Sequence, residues 1–138
     1  MTIDANASPG YRRAVNKVDG HKRRARKRGL TVLFCPSDWH QCRRYFKYRC
    51  AYCGNFCKGT LDVFIPLGCY YSPGFTVYNV LPACDTCNQS KADQNPYSWL
   101  AGQYEPRRVS RILYRIETYF ENVSSLSGVD TRNKEQSC

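Results

Sequence analysis

The sequence has no apolar run that approaches the roughly 18 residues required for a membrane span. Its first thirty residues also lack the apolar segment of a secretory signal. These absences predict a soluble protein that is not exported. Acidic residues are scarce as well, because 11 Asp and Glu stand against 21 Lys and Arg, and the formal net charge is +10. Such an imbalance favours a polyanionic partner, most simply nucleic acid.

The positive charge is concentrated in the first part of the chain. Residues 1–60 carry 14 basic and 3 acidic side chains, whereas residues 61–138 carry 7 basic and 8 acidic ones. The densest run extends from His21 to Arg28 and stops at Gly29, a residue that suits the end of a helix. We expect a helix or arm that contacts phosphates, the alternative being a solvated tail without a specific partner. The residues predicted to bind nucleic acid are Lys22, Arg23, Arg24, Arg26, Lys27, Arg28, Arg43, Arg44 and Lys91.

The hydrophobic pattern predicts an α+β fold. Helices are expected over residues 36–48, 85–92 and 105–123, and strands over residues 61–66 and 77–82. Gly20 predicts a break in the helix of the basic segment. The expected organisation is a basic arm or helix over residues 1–29, a main domain over residues 30–123 and a flexible tail over residues 124–138.

Four of the nine cysteines form two pairs with metal-ligand spacing. Cys50 and Cys53 are separated by two residues, as are Cys84 and Cys87, and thirty residues lie between the pairs. Four thiolates complete the tetrahedral shell that Zn²⁺ prefers and leave no open position, so the pattern predicts a structural zinc. Disulfides are the alternative, disfavoured by the missing export signal and the odd cysteine count. Cys57 is a competing ligand.

Segments in and between the cysteine pairs resemble the zinc-knuckle HNH endonucleases, including bacteriophage members. The segments are CAYCG at 50–54, LDVFIPL at 61–67, NVLPAC at 79–84 and CNQSK at 87–91. The resemblance implies a beta-beta-alpha-metal hairpin and helix, clamped by the Cys₄ zinc site and flanked by helices. It further implies hydrolysis of phosphodiester bonds in double-stranded DNA with one divalent metal, Mg²⁺ or Mn²⁺, in the cytoplasm of a bacterial host.

The resemblance also assigns roles to individual positions. Asp62 matches an acidic ligand of the catalytic metal, and Asn88 matches the last ligand, on the helix. Asn79 matches the asparagine that holds the general-base histidine in place. Ordinary alternatives are a turn former at Asn79 and a surface amide at Asn88. Lys91 follows Asn88 by about one helical turn and is expected to face a phosphate.

The chain departs from the family at the general base, because Val63 stands where the family has histidine. Valine cannot accept a proton, and a missing general base typically costs on the order of 10²–10⁴ in rate. The two histidines, His21 and His40, lie outside the hairpin and are expected to be surface or otherwise satisfied residues. The predicted function is therefore an HNH endonuclease that is inactive or impaired, through natural loss or an introduced change.

Two other functions fit parts of the pattern. The main alternative is a noncatalytic, zinc-stabilised module that binds DNA or RNA. A weaker one is a ribosomal or RNA-associated zinc ribbon. The retention of Asp62, Asn79 and Asn88 favours the nuclease interpretation, because a ribbon or a long-diverged binding module has no reason to keep all three.

Overall fold

A computed structural model of the chain describes residues 9–57 and 59–126. Within this part the fold is α+β, which confirms the predicted class. The helices are α1 (Pro9–Lys27), α2 (Pro36–Tyr45), α3 (Asp85–Lys91), α4 (Pro96–Gln103) and α5 (Pro106–Leu126). The strands are β1 (Val32–Leu33), β2 (Thr60–Val63), β3 (Phe75–Thr76) and β4 (Val80–Ala83). None of the described helices combines the length and apolarity that a membrane crossing requires.

The basic segment forms α1 as one helix that continues through Gly20, where the sequence predicted a break. Val18 and Ala25 lie on either side of this glycine and are fully buried. The helix packs against α2, β1 and β3. A glycine inside a helix costs roughly 0.5–1 kcal/mol relative to alanine, and the tertiary packing of the neighbouring turns offsets that cost. The basic segment is thus packed onto the rest of the fold.

The strands β2 and β4 form an antiparallel pair that leads directly into α3. Asp62 lies opposite Leu81, and Val63 lies opposite Val80. Both strands are shorter than predicted. The backbone pairing between them ends before Ile65, whose backbone forms hydrogen bonds with a side chain instead of with the backbone of the other strand. The amide of Ile65 donates to Oδ1 of Asn79 over 2.8 Å, and Nδ2 of Asn79 donates to the Ile65 carbonyl.

A second, parallel pair joins β1 to β3 and was not predicted. It aligns Val32 with Phe75 and Leu33 with Thr76. Two-residue strands are too short to show the alternation on which strand prediction depends. The pair attaches the segment after α1 to the loop between β2 and β4, and so brings α1 beside the hairpin.

The helix α2 is shorter than the predicted 36–48 segment. It begins at Pro36, and the carboxylate of Asp38 accepts the amide hydrogen of Cys35 over 2.8 Å. It ends at Tyr45 because the backbone turns left-handed soon afterwards, with φ of 54° at Lys47 and 58° at Tyr48. Such angles are incompatible with a continuing right-handed helix.

The helix α5 supplies a large part of the core, as its apolar stripe predicted. Ile112 and Ile116 are buried, and the ring of Tyr119 packs against Phe46 with centroids 5.0 Å apart. The helix continues to Leu126, beyond its predicted end. The predicted tail begins inside this helix, and its remaining residues, 127–138, lie outside the described residues, as do residues 1–8.

Candidate metal centre and adjoining cleft

The two predicted cysteine pairs meet in one cluster that could hold a structural metal ion such as zinc. The sulfurs of Cys50, Cys53, Cys84 and Cys87 all lie within 4.8 Å of one another. Zn–S bonds of about 2.3 Å in a tetrahedron place the sulfurs about 3.8 Å apart, and Sγ of Cys53 and Sγ of Cys84 are 3.8 Å apart. All four are free thiols, which argues against the disulfide alternative. Cys57 is not part of the cluster.

The backbone around each pair orients the sulfurs. Gly54 has a φ of 80° and donates its amide hydrogen to the Cys50 carbonyl over 3.0 Å, which closes a tight turn after the first pair. The amide of Cys53 points at Sγ of Cys50 over 3.5 Å. In the second pair the amide of Cys87 points at Sγ of Cys84 over 3.4 Å. The local fold thus brings four donor atoms close to one point.

Three thiols of the cluster have shifted pKa values. Burial raises the pKa of the Cys50 and Cys87 thiols. Burial also acts to raise the pKa of Cys84, but hydrogen bonds from Cys87 and the neighbouring thiols outweigh it and leave that pKa lowered. Because metal ions bind thiolates, loading the cluster would release protons.

A buried hydrogen-bond network connects this cluster to the hairpin. Tyr52, which lies between Cys50 and Cys53 in the chain, donates its hydroxyl hydrogen to Oδ2 of Asp62. Burial raises the pKa of Tyr52 well above its usual value, so the hydroxyl keeps its proton. Nζ of Lys91 lies 3.2 Å from both carboxylate oxygens of Asp62 and donates to the Val63 carbonyl over 3.0 Å.

The same network shows that the prediction for Lys91 was wrong, and it occupies the oxygens of Asp62 that were predicted to bind a metal. Lys91, expected to face a phosphate, is 0% exposed because its ammonium is used inside the fold. Asp62, expected to ligate a metal, is 5% exposed, and both of its oxygens are bonded. Burial raises the pKa of Asp62, while the charge of Lys91 acts to lower it.

The donors at the hairpin do not, as they stand, fit the hard divalent metal implied by the family resemblance. Mg²⁺ requires nearly octahedral oxygen ligands. The Asp62 carboxylate is already neutralised by an ammonium, and Val63 has no donor in its side chain. Nδ2 of Asn88 donates to Oγ1 of Thr60 over 3.0 Å, which ties this amide to the hairpin. A divalent ion would have to displace Lys91 from Asp62.

Asn79 serves the backbone and does not line the cleft described below. It is fully buried, and its Nδ2 donates to the carbonyls of Ile65 and Gly74 over 3.0 and 2.9 Å. Its Oδ1 accepts the amide hydrogen of Ile65. The side chain therefore fixes the chain just after β2, two residues beyond Val63.

A cleft of about 340 Å³ lies between α1 and the hairpin. The cleft brings three residues of the predicted catalytic site together with His21 and Arg24 of α1 and with Arg28, which directly follows the helix. Its lining includes Asp62, Val63, Asn88, His21, Arg24 and Arg28. The packing of α1 beside the hairpin therefore makes the basic helix one wall of the predicted site.

His21 was expected outside the site, but it lines this cleft. Its ring stacks on Phe75 with centroids 5.2 Å apart. Burial, with the positive charges of Arg24 and Lys17, lowers the pKa of His21 to about 4, so the ring is neutral near pH 7. Nη2 of Arg24 lies 3.0 Å from Nδ1 of His21. An arginine can only donate, so Nδ1 accepts and the ring proton sits on Nε2.

The sequence contained a partial signal for this placement. His21, Arg24 and Arg28 are spaced by three and four residues, which places them on one face of a helix. The spacing alone does not say what that face meets. The hairpin lies 33 residues or more further along the chain, because Arg28 is the last basic-segment residue of the cleft lining and Leu61 is its first hairpin residue.

The residues predicted to bind nucleic acid fall into two groups. Those exposed to solvent are Arg23, Arg24, Arg26, Lys27, Arg28 and Arg44. Lys22 is only 5% exposed, and like Lys91 it is not placed to meet a phosphate. Arg43 is half-buried, lies 2.9 Å from Nδ1 of His40 and sits over the ring of Trp39, so its guanidinium is used within the fold.

The cysteine cluster and the cleft are thus joined by one buried network and flanked by exposed arginines. The chain was compared with protein-family models, with curated proteins and with solved structures, and none of the three comparisons found a match.

Proposed function

We propose that the protein binds double-stranded DNA on an HNH-type framework clamped by zinc, and that its hydrolysis of phosphodiester bonds is impaired. The observation that supports this most is the common cleft. Asp62, Val63 and Asn88, which match family site positions, line it together with Arg24 of α1 and with Arg28, which directly follows that helix. A site for a polyanion needs such a combination of a shaped surface and unneutralised positive charge.

The impairment follows from the side chains available as a general base. Val63 cannot take a proton from water. His21 lies in the same cleft, but Nδ1 accepts a hydrogen bond from Arg24 and Nε2 carries the ring proton. Neither ring nitrogen is free to act as a base in this arrangement. Attack by water on a phosphodiester therefore proceeds without a positioned proton acceptor.

A second candidate function is a noncatalytic, zinc-stabilised nucleic-acid-binding module. The ion pair between Lys91 and Asp62 favours it, because an internal ammonium neutralises the carboxylate that would otherwise hold a metal. The two candidates share the DNA-binding step. They differ in whether the hairpin still supports hydrolysis when a base is returned to position 63.

Nicking of a supercoiled plasmid separates the two candidates. In buffer with Mg²⁺ or Mn²⁺ we expect the native chain to retard the plasmid in a gel but to nick it weakly or not at all. If the divalent ion displaces Lys91 from Asp62, the Val63→His variant should nick on the order of 10² times faster, since a positioned general base is worth about 10²–10⁴ in rate.

The matched control is Val63→Gln, which adds a polar side chain of similar size without a proton acceptor for water. A Val63→His variant that nicks no faster than Val63→Gln would leave the noncatalytic module as the function. A native chain that already nicks as fast as the histidine variant would show that position 63 does not limit hydrolysis.

A further inference from the structure

One face of α1 is presented to the cleft, and another is not. His21, Arg24 and Arg28 belong to the cleft lining. Arg23 and Lys27 have the same four-residue spacing as Arg24 and Arg28 and are also exposed, but they are not in that lining. The helix and the residue that follows it therefore carry two pairs of equal charge and equal spacing in different surroundings.

Among the residues that the structure describes, Lys91 is paired with Asp62, and no ion pair joins Arg24 or Arg28 to a carboxylate. That pair leaves Asp93 as the other acidic side chain of the lining, against two arginines. Nη2 of Arg24 touches His21, which is uncharged near neutral pH. The cleft thus keeps a surplus of positive charge on its α1 wall.

We propose that this cleft binds one phosphodiester group of the DNA backbone through the guanidinium groups of Arg24 and Arg28, with Nε2–H of His21 as a third donor. Guanidinium groups match phosphate oxygens geometrically and make charge-assisted hydrogen bonds. A space of about 340 Å³ is within the range of small-molecule sites, which suits a phosphate with its adjoining sugar. This inference rests on the proposed function and assigns the phosphate to particular residues.

The two charge pairs of α1 provide the test. Affinity for a 20-base-pair duplex would be measured by fluorescence anisotropy at several salt concentrations. We expect Arg24→Ala/Arg28→Ala to weaken binding by about 100-fold or more, because the double change removes the charge-assisted hydrogen bonds of two guanidinium groups. The matched control, Arg23→Ala/Lys27→Ala, removes the same charge and should weaken binding several-fold less.

A second pair of variants tests the cleft without changing its charge. Gly68 lies in the lining, and a Cβ there would meet Nη1 of Arg28 at 3.8 Å, which is ordinary contact. A Gly68→Trp side chain should fill the mouth and weaken binding about 10-fold. The control is Gly102→Trp, at a glycine in α4 whose added Cβ would meet nothing within 4 Å; it should leave the affinity unchanged.

The outcomes separate the inference from the proposed function. Equal losses for the two charge pairs, or a Gly68→Trp variant that binds like the native chain, would overturn the cleft assignment while DNA binding stands. Failure of the native, zinc-loaded chain to bind the duplex would overturn the proposed function and the inference together.

Discussion

The Asp62 carboxylate illustrates how the partners of a single residue determine the charge of the cleft lining. A buried carboxylate without a partner is costly, and here an ammonium and a phenol hydroxyl satisfy it. The partner Lys91 comes from α3, 29 residues further along the chain. The ammonium therefore acts as a fixed internal counter-ion, which explains how an acidic side chain persists at this depth.

Removing that counter-ion should be strongly destabilising. We expect Lys91→Met to lower the free energy of unfolding by about 3–5 kcal/mol, because it leaves a buried charge uncompensated. Urea denaturation followed by circular dichroism measures the loss. Lys27→Met, on the exposed surface of α1, serves as the control and should stay within about 0.5 kcal/mol of the native chain.

The double variant Asp62→Asn/Lys91→Met sharpens this test. Removing both charges should recover part of the loss, since neither buried group is then an unpaired ion. A double variant as unstable as the sum of the two single ones would mean that the charges do not interact.

At the residue scale the sequence predicted the cysteine cluster well and the cleft residues only in part. The ligands were predictable because two short C-x₂-C spacings carry the geometry locally, and Cys50 and Cys84 indeed belong to one cluster. The partner of Asp62 and the position of His21 depend on contacts between distant segments. No local pattern in the sequence encodes such contacts.

At the scale of elements, the junction between β1 and β3 depends on one glycine. Gly74 has a φ of 88°, and a Cβ at this position would collide with the carbonyl of Thr31. The amide of Phe75 donates to that same carbonyl over 2.9 Å. The backbone of the loop thus approaches β1 more closely than any side chain would permit.

Gly74→Ala should therefore lower the free energy of unfolding by about 2–4 kcal/mol, through a strained φ and a steric overlap together. The control is Gly102→Ala in α4, where an added Cβ meets nothing within 4 Å. That change should stabilise the chain by up to about 1 kcal/mol, as alanine favours helix over glycine. Thermal unfolding of both variants measures the contrast, and equal effects would contradict the close approach.

Elements were predictable in proportion to their length and periodicity. The stripe of α5 repeats over many turns, and its buried members Ile112 and Ile116 were expected in the core. The β1–β3 pair offers two residues per strand and no periodicity. The break predicted at Gly20 followed from the low intrinsic helix propensity of glycine, and tertiary packing overrides that propensity in α1.

For the molecule as a whole, the cysteine cluster fastens together segments that the small sheets hold weakly. Cys50 and Cys53 belong to the turn before β2, whereas Cys84 and Cys87 begin α3. The amide of Ala51 donates to the Pro82 carbonyl over 2.9 Å, so this turn is also hydrogen-bonded to β4. Two strands alone are marginal in water, and a metal ion held by the cluster would supply stability that this hairpin lacks.

Metal analysis of the purified chain should find about one zinc ion per molecule. Cys84→Ser should lose the zinc and several kcal/mol of stability, because metal binding and folding are coupled. Cys57→Ser changes a half-buried cysteine outside the cluster and should keep both. A cooperatively folded native chain free of metal would contradict the role assigned to the cluster.

The packing of α1 beside the hairpin has a practical consequence for anyone who divides this chain. The sequence suggested a boundary at residue 29, between a basic arm and a main domain. A fragment starting at residue 30 would retain the four cysteines and the hairpin, but it would lose the wall of the cleft that His21, Arg24 and Arg28 form. Arg24 and Arg28 would be gone, and Phe75 would lose the ring that covers it. The natural unit for expression or for transfer to another protein therefore begins upstream of α1.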